Sequence, residues 1–340
     1  MRKLYHGIIY SLVLALCGCS SNAEVHLAKA ELKGAPNFSF VERTVNTYKE
    51  FLVLNKDKDL RKENENFLYS PLSFYFVYQL NNYFENNASL EELKSFASQT
   101  NISDNNKFSF SCFPAVASTN DFDEQVINDL NSNYVSTFSG SINELSKSLS
   151  SFYGRKISLA NNGRYLLSEV SVDSQFYLPL TVKGKDKFYG SKTSTVNYVS
   201  GKSASSYQEL DDCYLFDITI NKVELRVLLP KENKSTKDFD FSYLNQELQE
   251  TARINYTIPE FSIENNLDLT NLLGKDNGTL TFQNNSLKFN RYGIKASSFT
   301  VNGPSASNPT IDVEVKIDRP FMFSLNYLST PLFYGEVNHL

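Results

Sequence analysis

Helical spacing in this chain ends near Tyr153; from Arg164 to Val337 nearly every apolar run is short and strand-like. In the early part, residues 37–56 set Phe40, Val41, Val45, Tyr48, Phe51 and Leu52 at helical intervals. Phe67, Leu68 and Tyr69 read as a short strand. Ser70 and Pro71 then read as a helix start, a cap hydroxyl followed by a ring with preset φ and no donor to satisfy. Leu72, Phe76, Val77, Leu80, Tyr83 and Phe84 follow almost all round that helix, which predicts burial. Ser89-Leu90-Glu91-Glu92 resembles a capping box, and 121–153 reads as helices with loops.

The remaining strand signals come later, apart from one at 107–118. They cover 164–172, then 215–220 and 223–229 around an Asn221-Lys222 turn. Residues 254–263 alternate but contain Pro259, which predicts an edge or bulged strand. Residues 267–273 predict a short helix stopped by Gly274. Val313, Val315 and Ile317 alternate, and 321–328 and 331–337 close the chain as aromatic strands. There is no internal repeat and no Pro- or Gly-rich linker. At 340 residues and 41% hydrophobic content, the expectation is one large α+β domain over 35–340.

The N-terminus carries a targeting signal. Arg2 and Lys3 precede an apolar stretch, Ile8 to Leu16, of signal-peptide length and too short to span a bilayer as a helix. Leu16-Cys17-Gly18-Cys19 resembles the lipobox of bacterial lipoproteins, which implies cleavage after a 1–18 signal and a lipid anchor on Cys19. An ordinary cleaved signal is the competing reading; both export the protein, to the periplasm or the cell surface. Residues 19–34 then read as a polar tether. Of the four cysteines only Cys112 and Cys213 lie beyond the signal and tether; their apolar neighbours predict two buried free thiols.

The chemistry that is missing is equally informative. The three histidines are His6, His26 and His339, so 27–338 contains no imidazole for a nucleophile–base pair. Clustered zinc ligands are absent as well, and no cofactor is expected. Gly184 with Gly190-Ser191-Lys192-Thr193 is a phosphate-loop near miss, followed by strand-like Thr195 to Val199 where a helix N-terminus is needed. Carboxylate pairs such as Asp211-Asp212 and Glu91-Glu92 read as solvated surface. With a net charge of −5 and no long basic run, nothing in the sequence predicts binding to an acidic membrane surface, and no nucleic-acid partner is expected. The chain is therefore read as a non-enzyme, with an unrelated α+β surface-lipoprotein hydrolase built on such a carboxylate pair as the competing reading; a monomer is expected.

Five segments, in order, resemble the serpin family. Asn66 to Ser73 is similar to its Asn-x-x-x-Ser-Pro-x-Ser segment, which makes Ser70, Pro71 and Ser73 the counterpart of the family's shutter region. Arg164 to Phe176 is similar to the Asn-Ala-x-Tyr-Phe-x-Gly-x-Trp strand, with Ser168 in place of Asn and Phe176 in place of Trp. Val227-Leu228-Leu229-Pro230 and Ile258-Pro259-Glu260-Phe261-Ser262-Ile263-Glu264 match two further motifs. Asp318-Arg319-Pro320-Phe321, with Phe333-Tyr334-Gly335-Glu336-Val337, resembles the closing strand pair. The chain is shorter than the family norm, over 94–113 and 274–287.

The resemblance implies a single domain with a large central mixed sheet and an exposed reactive loop at 293–313. It also implies a serine or cysteine protease as partner. A protease cleaves the loop, which then enters the sheet as a new central strand and carries the acyl-enzyme with it. By analogy the hinge is Gly293, Ile294, Ala296 and Ser298. The inward-facing set continues through Thr300 and Asn302, and none of it is charged. The scissile region falls at Ala306, Ser307, Asn308 and Pro309, with Ser307 or Ala306 preceding the cut. Against inhibition stand Arg291-Tyr292 before the glycine, bulky Ile294 and Phe299, and Pro304, which would remove a ladder hydrogen bond. A non-inhibitory binding or structural serpin is the alternative.

Overall fold

The computed structural model describes residues 24–26, 60–86, 88–97, 102–104, 107–246, 248, 250–269, 272, 281–296, 311–327 and 330–340. The elements, in chain order, begin with β1 (Glu24–His26), β2 (Phe67–Tyr69), α1 (Pro71–Asn86), α2 (Glu91–Ala97), β3 (Ile102–Asp104) and β4 (Phe108–Ser118). Next come α3 (Glu124–Ser132), β5 (Ser136–Ser139), α4 (Ile142–Tyr153), β6 (Arg164–Gln175), β7 (Thr181–Tyr189) and β8 (Thr193–Glu209). Then follow β9 (Cys213–Ile220), β10 (Val223–Pro230), β11 (Glu250–Pro259), β12 (Phe261–Asp268) and β13 (Phe282–Asn290). The chain ends with β14 (Gly293–Ala296), β15 (Ile311–Lys316), β16 (Phe321–Tyr327) and β17 (Thr330–Val337).

The chain forms two compact units, the first made of Met1–Leu32, Gln79–Gln99 and Phe113–Glu169. Here β5 pairs antiparallel with β1 and parallel with the end of β4. Ser141 and Glu144 form the capping box that opens α4, and Gly154 closes it in the left-handed conformation at φ 63°. One face of α4, with Leu145, Leu149 and Tyr153, packs on Ala115, Ala117 and Phe138. Phe152 meets Phe113 and Phe138 edge-on at 5.9 and 5.2 Å.

The second unit is made of Lys33–Tyr78, Thr100–Cys112 and Val170–Leu340. One sheet here runs in the order β4-β6-β14-β13-β12, with β3 on β4. Ser111 Oγ and Ser171 Oγ lie 2.6 Å apart across β4 and β6. The other sheet has nine strands in the order β15-β11-β8-β9-β10-β16-β17-β2, with β7 on β8. Phe261 of β12 joins the two sheets, its ring 5.4 Å from Phe289 on β13 and 5.5 and 5.7 Å from Phe321 and Phe323 on β16. Gly335 gives the Phe323 ring its space: a Cβ there would lie 2.1 Å from the ring.

Several expectations are corrected. β11 is an interior strand, antiparallel to β8 and parallel to β15, because Pro259 is its last residue and removes no donor from its middle. Leu267 and Asp268 end strand β12 where a helix start was expected. Between the two helices of 121–153 lies β5, whose Ser-Thr-Phe-Ser sequence has too little alternation to announce a strand. Within the expected tether, Glu24–His26 pair with β5 as a strand. The helix expected at 37–56 and the Cys19 anchor lie outside the described residues.

Candidate functional site: the hinge strand and its support

The site begins with the alternation of β13. Phe282, Asn284, Ser286 and Lys288 are exposed, while Gln283, Asn285, Leu287 and Phe289 face inward. The buried set is thus apolar toward the hinge and amide-bearing toward the start of the strand. At the turn, the Arg291 amide donates to Glu260 Oε1 at 2.9 Å and the Tyr292 amide to Asn290 Oδ1 at 2.9 Å.

Gly293 then reverses the chain at φ 153°, and a Cβ there would sit 2.1 Å from the Ser174 carbonyl oxygen. Only glycine allows that approach. From it β14 runs antiparallel between two neighbours. Ile294 is opposite Phe289 on β13 and Ser174 on β6; Ala296 is opposite Leu287 and Val172. Ile294 and Ala296 are 1% and 2% exposed, and exposed Lys295 lies 3.3 Å from Asp173. Ile294 and Ala296 thus face inward from β14 and Lys295 outward.

The loop expected at 293–313 is corrected at both ends of its span. Gly293–Ala296 are already a sheet strand, and Ile311–Lys316 form β15. Ser298, the rest of the inward set and Ala306, Ser307, Asn308 and Pro309 lie outside the described residues.

The predicted helix start sits against β13. The Ser70 amide donates to Gln283 Oε1 at 2.8 Å, and Gln283 Nε2 donates to the Ser70 carbonyl at 2.7 Å. Asn285 Nδ2 donates to the Leu68 carbonyl at 3.0 Å and to Asn265 Oδ1 at 3.2 Å. Ser70 Oγ accepts the Ser73 amide at 3.2 Å, the cap hydrogen bond that Ser70-Pro71 foretold. Gln283 and Asn285 escaped the sequence reading. The available signal was a pair of amides at every second position of an otherwise apolar inward row, a pattern meaningful only once their partners are known.

Cys112 and Cys213 are buried and not joined in a disulfide, as expected, and burial with nearby Asp212 pushes the Cys213 thiol up to about 11. The near-miss phosphate loop leads into strand β8. Among the described residues no cluster of His, Cys, Asp or Glu is arranged to hold a metal, and no helix is long and apolar enough to cross a membrane.

No protein-family model and no curated protein matches the chain by sequence. Solved structures do match. The native state of the thermophilic serpin tengpin superposes with a TM-score of 0.67 at 18% identity, covering 92% of this chain and 97% of that one. Serpin48 of the insect Tenebrio molitor gives 0.65 at 15%, covering 90% and 100%. The fold is a serpin fold. Human thyroxine-binding globulin complexed with its hormone shares it as well, with a TM-score of 0.61 at 15% identity over 88% of this chain and 97% of that one. The mixed α+β architecture of this chain matches expectation.

Proposed function

We propose that the chain is a serpin-type inhibitor of serine or cysteine proteases, exported and anchored through a lipid on Cys19. It acts as a suicide substrate and needs no cofactor. The observation that carries this reading is β14: Gly293, Ile294 and Ala296 of the expected hinge, with Lys295, already pair with both β6 and β13, and the inward side chains are uncharged. On insertion, the same register continued by two-residue steps would bring Ser298 opposite Asn285 and Val170, and Thr300 opposite Gln283 and Ser168. Small hydroxyls thus meet a row that carries hydroxyls and amides, so entry buries no unmatched charge.

The chemistry follows from the bait. The protease nucleophile adds to the carbonyl carbon of Ser307 or Ala306, the peptide C–N bond breaks, and the following residue leaves as a free amine. The protease stays on the loop as an ester or thioester. Insertion of the freed strand between β6 and β13 pulls that acyl-enzyme away before water hydrolyses it. Incubation with an elastase- or subtilisin-like protease should yield an SDS-stable covalent complex; cleavage without one would make the chain a substrate and sink the inhibitory reading.

A second reading, a non-inhibitory serpin-fold binding or structural protein, draws on bulky Ile294 at the hinge and on the shared fold of a hormone-binding globulin. A thermal melt before and after loop nicking separates the two. A marked rise in Tm supports insertion; an unchanged Tm supports the binding module. The anchor is tested by acyl labelling, which should be lost in Cys19→Ala.

A further inference from the structure

The loop between β6 and β7 departs from the rule that exposed apolar side chains occur singly. Tyr177 is 70% and Leu178 81% exposed, and Pro179 beside them is exposed as well. Three consecutive apolar residues held in solvent mark a functional contact more often than a packing accident. The tip is built, since the Phe176 amide donates to the Tyr292 carbonyl at 2.9 Å and the Leu180 amide to the Arg291 carbonyl at 2.8 Å. Tyr292, 56% exposed, extends the patch from the adjoining turn.

Cations surround the tip. Lys107 Nζ donates to the Tyr177 carbonyl at 2.9 Å and lies 5.6 Å from the Tyr177 ring centre. The Arg291 guanidinium lies 5.1 Å from the centre of the Tyr292 ring. β7 leaves the tip with exposed Lys183 and Lys185 at alternate positions. Nearby carboxylates are engaged, Glu260 by the Arg291 amide and Asp173 by Lys295. Lysines on an edge strand also protect it from pairing, but that role does not require an apolar tip beside them.

Tyrosines and a leucine ringed by Lys and Arg match the boundary of a bilayer, where rings sit among headgroups and cations meet lipid phosphate. We propose that the tip of Tyr177, Leu178 and Pro179 docks on an anionic phospholipid surface. The net negative charge of the chain argues against general attraction to such a surface, so the affinity resides in this one patch. The inference is independent of acylation at Cys19 and of loop insertion.

The chain contains no tryptophan, so Leu178→Trp supplies a single reporter. Full-length chain bearing it is bound to phosphatidylcholine vesicles with and without phosphatidylglycerol, and Glu232→Trp, on an exposed turn, is the control. The expected result is blue-shifted emission and quenching by lipids brominated near the headgroup, confined to the Leu178→Trp chain on anionic vesicles. Adding Lys183→Glu and Lys185→Glu should weaken that contact by roughly tenfold or more. Solvent-like emission from both reporters would overturn the proposal and leave the patch to a protein partner. Equal quenching on neutral vesicles would overturn its anionic component. Loss of acyl labelling at Cys19 would strike the anchor alone.

Discussion

Ser70 and Gln283, 213 residues apart, are joined by two hydrogen bonds, amide to Oε1 at 2.8 Å and Nε2 to carbonyl at 2.7 Å. The pair ties the first residue before α1 to the strand that borders the hinge. Gln283→Leu keeps the volume but takes away the acceptor beside a buried amide, a change worth about 1–3 kcal/mol. Urea unfolding of the uncleaved protein should show that loss; an unchanged midpoint would mean the contact is dispensable.

Gly293→Ala should expel β14 from the sheet. The added methyl meets the Ser174 carbonyl oxygen at 2.1 Å and the Gln175 Cα at 2.7 Å. Backbone clashes of this kind are not relieved by side-chain rotation, and the conformation at φ 153° is itself costly for alanine. Hydrogen exchange at the amides of Ile294 to Ala296 and of their ladder partners on β6 and β13 should accelerate markedly, with strands away from them unaffected.

Ala296→Arg tests the inward face of the hinge. Ala296 is opposite Leu287 and Val172 in the buried row, where a guanidinium finds no partner and no water. The loop should still be cut, but the covalent complex should disappear from the denaturing gel in favour of cleaved chain. Complex yield equal to that of the parent protein would show that insertion does not pass through this register.

Glu224 sets a pH dependence. Its burial, with the like charge of Asp217 adding to it, pushes the carboxyl up to about 7, and Arg226 opposes this only in part. Arg226 is committed elsewhere, to Asp217 at 2.8 and 2.9 Å. The folded protein therefore holds a proton that the unfolded chain releases. This contribution is complete below the ordinary carboxylate pKa and lost as pH rises through about 7, a decline on the order of 2–3 kcal/mol. Stability measured from pH 4.5 to 8 should fall less steeply in Glu224→Gln.

Much of the architecture was legible where a period and a stop signal fall within a few residues of each other. Ser70-Pro71 marked the start of α1, Asn221-Lys222 the β9–β10 turn, and the aromatic alternation after Pro320 the last two strands. The outward place of Lys295 followed from the period of two once Gly293 was taken as the hinge. Where local signals misled, a distant neighbour was responsible. Pro259 reads as an edge residue in isolation, yet β11 is flanked by β8 and β15 because the proline falls at its last position.

By itself the sequence determined most element types, the alternation of Ile294, Lys295 and Ala296 and the lack of any histidine between His26 and His339, all properties of adjacent residues. Tertiary structure alone decided that Gly293–Ala296 are already strand β14, that Gln283 and Asn285 hold the segment before α1, and that Tyr177 and Leu178 are exposed beside Tyr292. Those facts depend on hydrogen bonds between segments far apart in the chain. Local periodicity records which side of a strand is buried, but not which strand lies beside it.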